Sequence, residues 1–577
     1  MKEKIDLISQ PKKSFWKLSI PIIAFCLFDA IYSIVDMMWV SRINIDAFYA
    51  MGVSIPFVTF IFSLGDSIGQ GTNSIMSRFI GSGDYESSYN ALIHGLIACN
   101  IIWFIIAFCF LFANGILFYS DEVNSYILIF DYIVPIIMFG YLFIFNNLFS
   151  ETLQVEGNSR TPTILIIGSN ILNIILDPIF IFNLNFGVKG AAYATIISAF
   201  LVFIPLLYLY VSGRTKVPLS LKYFKFRSYI IIEIFKVALP NFIDNGLWLL
   251  SASFINASLL THLGTLGPIL YSVSNKMKNL LIVPVRGYSR GLMSVTGHLF
   301  GARKFDELND MFKYVLKLSL LTSLAEVIIF FFFREYIFYL FSITGMQTEV
   351  FWVAIGGIFI MLSIPISIIS SKMLDGFGKS MYSLLFTFFK VIGEIGLIYI
   401  LNVVFNNGIS ILIAIVVTEI IFAFVYYVFL IYLLRNFDEH YDGKSTVKTF
   451  TQEDIHEIKL SEKVSGTKHY TLKKIALVIA LILMISVILA CSYITISLKN
   501  NTILPAATVI LICLIIGSYL LRKSDKLKIH IFQIVIITAV LIFLIETTDY
   551  LTTTLFIVFG ILLWYIKIVL NKLTKKE

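Results

Sequence analysis

Apolar runs of about twenty residues recur along this chain. They lie near 16–40, 53–77, 91–113, 125–149, 163–183, 187–211, 232–260, 268–298, 313–333, 351–373, 381–403 and 408–434. Each has the length a helix needs to cross the hydrocarbon core of a bilayer. No water is present there to satisfy the backbone, so only helices or closed barrels can cross. Runs this long, rather than short alternating strands, select helices. A charged stretch, Arg435 to Lys474, follows the twelfth run, and four more runs come near 475–498, 503–521, 529–545 and 551–571. The predicted fold is an all-α polytopic membrane protein. Composition agrees: 58% of the 577 residues are hydrophobic and only 14% charged, against about 25% charged in soluble domains.

The net charge of +8 comes from short loops between the runs. It therefore reports topology, and no nucleic-acid partner is expected. With the N-terminus inside, the loop after the sixth run is also inside; it holds Arg214, Lys216, Lys222, Lys225 and Arg227 without an acid. The tail KLTKKE then falls inside too. The expected location is a cell membrane, with both termini cytoplasmic and lipid as the surrounding partner. The five cysteines all lie in apolar runs and read as small buried hydrophobes. No metal-ligand spacing, nucleotide loop or nucleophile–base set stands out, so neither an enzyme nor a bound cofactor is expected.

The first twelve runs contain a duplication. Lys17-Leu18-Ser19-Ile20-Pro21 matches Lys236-Val237-Ala238-Leu239-Pro240, and Gly81-Ser82-Gly83 matches Gly301-Ala302-Arg303. Val155 to Arg160 matches Leu374 to Lys379, and all these pairs share an offset of 219 or 220 residues. Such an offset spans an even number of runs, so the halves are parallel repeats about an axis normal to the membrane. The predicted organisation is an N-lobe (10–211), a cytoplasmic loop (212–231) and a C-lobe (232–436), then a charged linker (437–474) and a four-span extension (475–577) whose partner the sequence does not name.

Within the fifth run, Asn170, Asn173 and Asp177 interrupt an otherwise apolar segment. Asn173 and Asp177 are four apart and share a helix face. A carboxylate in hydrocarbon costs several kcal/mol and is borne where it pairs or binds an ion or proton. Pro178 follows and withholds the donor that would satisfy the Ile174 carbonyl. This is the chemistry of an ion-coupled transporter.

These motifs resemble the multidrug and toxin extrusion (MATE) family, over roughly residues 10–436. The carrying segments are Ser19-Ile20-Pro21 with Val35-Asp36-Met37-Met38-Trp39-Val40, then Ser77 to Asp84, Gln154 to Pro162, Asn173 to Phe180 and Gly187 to Thr195. The pattern looks most like the prokaryotic DNA-damage-inducible-protein F branch. The resemblance implies export of small cationic or amphipathic organic molecules in exchange for H⁺ or Na⁺. It implies a coupling site at Asp36, Asn173, Asp177 and Thr195, with Tyr132 beside it and a hinge at Pro21. Asp29, seven residues before Asp36, departs from the pattern and is expected to add a third acid. Asn173 and Asp177 fall opposite Ile392 and Gly396 by the repeat offset, which places coupling in the N-lobe alone.

Asp66 and Arg286 share the repeat offset and are candidates for a gate across the lobe interface. Lys276 and Lys278, with Lys390 and Glu394, are candidates for lining a C-lobe cavity; the last two, four apart, could instead pair with each other. Two rival functions fit the same chain. A flippase for lipid-linked oligosaccharide would use a basic cavity that includes Lys276, Lys278, Arg286 and Arg290. A non-transporting scaffold or sensor would use the last four spans.

Overall fold

A computed structural model describes residues 7–117, 123–217, 219, 224–264, 266–340, 347–405 and 408–435. The proposed linker and four-span extension lie outside the described residues. The described residues form helices α1 (Pro11–Ser41), α2 (Ile45–Gly81), α3 (Tyr85–Leu117), α4 (Val123–Met138), α5 (Gly140–Val155), α6 (Arg160–Pro178) and α7 (Val188–Val211). They continue as α8 (Ser228–Leu263), α9 (Leu266–Leu281), α10 (Val283–Gly301), α11 (Phe305–Leu340), α12 (Gln347–Gly376), α13 (Ser380–Phe405) and α14 (Gly408–Arg435). All twelve apolar runs before residue 436 fall on these helices, the fifth continuing past α6 through a π turn, Ile179–Asn183. Among the described residues, nine helices are long and apolar enough to cross a membrane, or ten if α4 and α5 count as one bent span. The protein is a multi-pass membrane protein.

Two runs expected to be single helices are each broken. Pro135 cannot donate to the carbonyl of Asp131, and α4 bends into α5 by 48° at Phe139. Gly140 then passes the Trp103 ring, where a Cβ would sit 3.3 Å from the indole. In the other half, Pro284 in the first turn of α10 stops α9 at Leu281.

Helix ends follow local chemistry. The Asn44 side chain accepts from the Ala47 N–H at 2.6 Å and starts α2, and Asp84 accepts from the Ser87 N–H at 2.8 Å and starts α3. Pro21 lies inside α1 and leaves the Lys17 carbonyl without its helical donor. The Ser159 hydroxyl donates to that carbonyl at 3.2 Å, and the Thr163 hydroxyl donates to the carbonyl of Pro21 at 3.2 Å. The proposed hinge is thus cross-bonded to the start of α6.

The halves pack in the symmetric way the duplication predicts: α1 lies against α10 as α8 lies against α2, and α2 crosses α10 between them. At this crossing a Cβ on Gly81 would meet the His298 carbonyl carbon at 2.8 Å, and one on Gly301 would meet the Arg78 carbonyl carbon at 2.9 Å. Each lobe thus uses the same glycine to touch the same backbone position of the other.

One repeat register differs from the sequence reading. Gly157 donates to Gln154 O as Gly378 donates to Asp375 O, and both glycines have positive φ (80° and 73°). This turn therefore repeats at 221 residues, not 219. Beyond it, the buried positions Asn173 and Asp177 of α6 have their counterparts in the buried Glu394 and Ile398 of α13. An acid thus stands opposite Asn173, and the expected counterparts Ile392 and Gly396 are displaced.

The segment joining the halves is tied to the N-lobe. Glu156 accepts from the N–H groups of Lys216 (2.7 Å) and Val217 (3.0 Å). Asn90 accepts from the Lys225 N–H at 2.8 Å and His94 from the Arg227 N–H at 2.9 Å.

Candidate functional site

Four elements of the N-lobe bring their polar side chains together. Asp36 comes from α1, Tyr132 from α4, Asn173 and Asp177 from α6, and Thr195 from α7. Asp36 is 7% exposed, Asn173 2% and Asp177 fully buried. The Asn173 amide, oriented by its neighbours, donates to Asp177 Oδ2 at 2.9 Å and accepts from the Thr195 N–H at 3.0 Å. The Thr195 hydroxyl lies 3.0 Å from the Ala191 carbonyl of its own helix. Just past Asp177 the helix widens into a π turn, Ile179–Asn183. Such turns often accompany functional sites. Gly190 at the start of α7 packs against that turn, with room for no Cβ: one would lie 2.7 Å from the Phe180 carbonyl.

The two acids meet. The Asp36 and Asp177 carboxyls lie side by side, and each has a buried oxygen, Oδ1, that accepts no hydrogen bond. Carboxylates only accept, so a bond between them requires a proton. Among the described residues neither acid has a lysine or arginine within ion-pair distance. Burial of negative charge without a basic partner is expensive, so this pair calls for a bound proton or a small cation. Sequence reasoning missed Tyr32, which lies close to Asp36, Tyr132, Asp177 and Thr195. Its signal was the four-residue spacing from Asp36 on α1.

Asp29 does not join this group. It faces a separate cavity between the lobes, toward Arg290 and Arg286 of α10. Two helical turns, about 10 Å of rise, separate it from Asp36.

That cavity has a volume of about 2050 Å³ and takes its walls from both lobes. Ion pairs lie at its base. Arg290 binds Asp66 at 2.9 Å and reaches the buried Glu151 at 3.6 Å. Asn73 donates to Glu151 at 2.9 Å and to Ser294 across the interface at 3.0 Å. Lys372 donates to Asp375 at 2.7 Å and to Asn241 at 2.9 Å. The proposed gate pair is therefore corrected. Asp66 does pair across the lobes, but with Arg290, one turn beyond Arg286, while Arg286 donates to Asn279 at 2.9 Å. The Lys390–Glu394 pairing is corrected as well. Lys390 pairs with Glu419, and Glu394 accepts from Ser251 at 2.9 Å. Lys276 and Lys278 line the cavity.

A family model, MatE, matches residues 21–179 and 246–400. The multidrug export protein MepA of Staphylococcus aureus (strain NCTC 8325 / PS 47) is 23% identical over 316 residues, covering 53% of this chain and 68% of MepA. A solved structure of MATE in the straight conformation superposes with a TM-score of 0.73 at 27% identity, covering 76% of this chain and all of that one (100%). A MOP superfamily transporter from Pyrococcus furiosus Vc1, for which reversed polarity of the binding pocket suggests a different function, superposes with a TM-score of 0.72 at 27% identity over 76% of this chain and 99% of that one.

Proposed function

Starting from a chain that belongs to the MatE family, we propose a secondary active exporter that exchanges H⁺ or Na⁺ for small organic, amphipathic molecules. The multidrug export activity named for MepA supports the substrate breadth. The observation that carries the coupling mechanism is the buried Asp36–Asp177 pair. Its two carboxyls lie side by side, each with a buried oxygen that accepts no hydrogen bond, and among the described residues neither has a base within ion-pair distance. Asn173, Thr195, Tyr32 and Tyr132 complete its walls.

The mechanism follows from linkage. Ion binding neutralises the pair and favours the lobe arrangement in which the four helices stay closed around it. Substrate in the central cavity favours a different arrangement, and each ligand therefore changes the affinity of the other. The basic loops orient the chain with both ends of the duplicated region in the cytoplasm of a prokaryotic cell.

The test is flux of cationic dyes in proteoliposomes under separate proton and sodium gradients. Asp177→Asn keeps nearly the same volume but cannot cycle a proton, so it should fold and lose gradient-driven export. Asp36→Asn should do the same. Undiminished gradient-driven flux in either purified variant would remove the pair from the mechanism.

A further inference from the structure

The central cavity is basic along one wall, and the N-lobe acids do not account for it. Lys276, Lys278 and Arg286 all face the cavity, on either side of the break between α9 and α10. Among the described residues, none of the three has a carboxylate within ion-pair distance.

Three of the five acids that line the cavity are engaged elsewhere. Asp66 is held by Arg290 and Glu419 by Lys390. Glu394 accepts from Ser251, while Asp244 keeps a buried oxygen without a partner. Asp29, on α1 packed against α10, is a charge neighbour of Arg286 and Arg290 but lies within ion-pair distance of neither. The nearest charges around Lys278 are Glu419, Lys390, Arg286 and Glu394, so the local cluster counts three bases and two acids. Like charges gathered in a low-dielectric cleft create a positive potential that a bound anion relieves. Tyr271, Trp248 and Trp352 line the same cavity and offer flat apolar faces. Trp248 is 51% exposed and Trp352 42%.

We propose that the cavity takes an amphipathic substrate bearing an anionic substituent, a carboxylate or a phosphate, seated between Lys278 and Arg286 with its aromatic or aliphatic body on Trp248 and Tyr271. This deepens the exporter reading and rests on it, but it concerns recognition rather than coupling. Arg286 is the stronger anchor for a planar oxyanion, since its guanidinium is already oriented by Asn279 and keeps further N–H donors free. Lys278 adds a mobile point charge.

The test measures binding, so it does not depend on ion-driven flux. Rhodamine B, a zwitterion with a free carboxylate, is compared with its ethyl ester, a cation with the same ring system. Fluorescence anisotropy in detergent gives an affinity for each. The wild-type protein should bind the free acid at least as tightly as the ester. The acid-to-ester affinity ratio should fall about tenfold, the loss of one charge-assisted contact, in Lys278→Met and in Arg286→Gln. Lys278→Arg should restore it. If Lys278→Met fails to fold, Arg286→Gln carries the same comparison from α10. A wild-type preference for the ester, or a ratio unmoved in both variants, would overturn the proposal. Competition identifies the source of the anion. Displacement of rhodamine B by phosphatidylglycerol but not by benzoate assigns a lipid headgroup, and the reverse assigns a free solute. Displacement by neither overturns the proposal. Loss of gradient-driven export with the ratio intact would instead fault the exporter reading and leave this site standing.

Discussion

Gly301→Ala should drive the lobes apart at the α2–α10 crossing. The added Cβ would lie 2.9 Å from the Arg78 carbonyl carbon and 3.1 Å from its Cα, with the carbonyl oxygen nearer still. Carbon atoms pack at about 3.5–4.0 Å, so the two backbones must separate by at least roughly 0.6 Å. No rotamer change relieves the clash, because the obstructing atoms are backbone. Overpacking of this kind costs about 1–3 kcal/mol, which in a two-state protein shifts the equilibrium about 5–150-fold. Gly81→Ala should act alike, since its Cβ would meet the His298 carbonyl carbon at 2.8 Å. Gly396→Ala is the control: a Cβ there meets nothing within 4 Å.

The assay is pulsed electron–electron distance measurement between spin labels at positions 82 and 306, in a cysteine-free background. Both glycine variants should broaden the distribution toward longer distances and slow transport, while Gly396→Ala changes neither. The double variant should add less than the two singles together, because the first separation already makes room for the second methyl. Unchanged distances and full transport in both singles would refute the close backbone packing at this crossing.

Two further outcomes follow from the cavity floor and from the correction to Asp29. Arg290→Met leaves Asp66 and the buried Glu151 without their cation, and should destabilise the protein by about 3–5 kcal/mol. Arg286→Met, which loses only the Asn279 contact, should shift the melting temperature in detergent far less. Asp29→Asn should leave the number of ions exchanged per substrate as in the wild type, since it touches neither oxygen of the Asp36–Asp177 pair; an altered ratio measured from paired ion and dye fluxes would return Asp29 to the coupling set.

The Asn173–Asp177 pair was readable in sequence because polar groups in an apolar run carry a cost that needs a reason. Tyr32 was not, because a tyrosine in such a run reads as packing until its neighbours are known. Asp29 misled through helix geometry. A seven-residue spacing keeps roughly the same face but moves two turns along the axis, into a different environment. Asp66 misled through symmetry. Repeat-related residues face each other only where the pseudo-two-fold axis passes between them, as at Ser77, where a Cβ on Gly297 would lie 2.8 Å from its Cβ. Away from that point the helices diverge, and Asp66 meets Arg290 instead of its own counterpart Arg286. The breaks at Phe139 and Ile282 were marked by Pro135 and Pro284, but an apolar run does not reveal on which side of a proline a helix bends.

The duplication and the chemistry have parted company in this chain, and the division has a physical logic. Backbone contacts at the interface are symmetric: Gly81 and Gly301 perform the same close approach on opposite lobes. The polar chemistry is asymmetric. At corresponding buried positions the N-lobe has Asn173 and Asp177, and the C-lobe has Glu394 and Ile398. An amide beside an acid can tune a carboxylate pair that gains and loses an ion. The C-lobe acid accepts from the hydroxyl of Ser251, and among the described residues it has no second free carboxyl to share an ion, since Glu419 is held by Lys390. A single switch is enough to bias a two-state interface. A second ion-cycling pair in the C-lobe would add a desolvation cost without adding a new direction of motion. Its place is free for charges that face the cavity, and there the unpartnered bases of the α9–α10 wall stand.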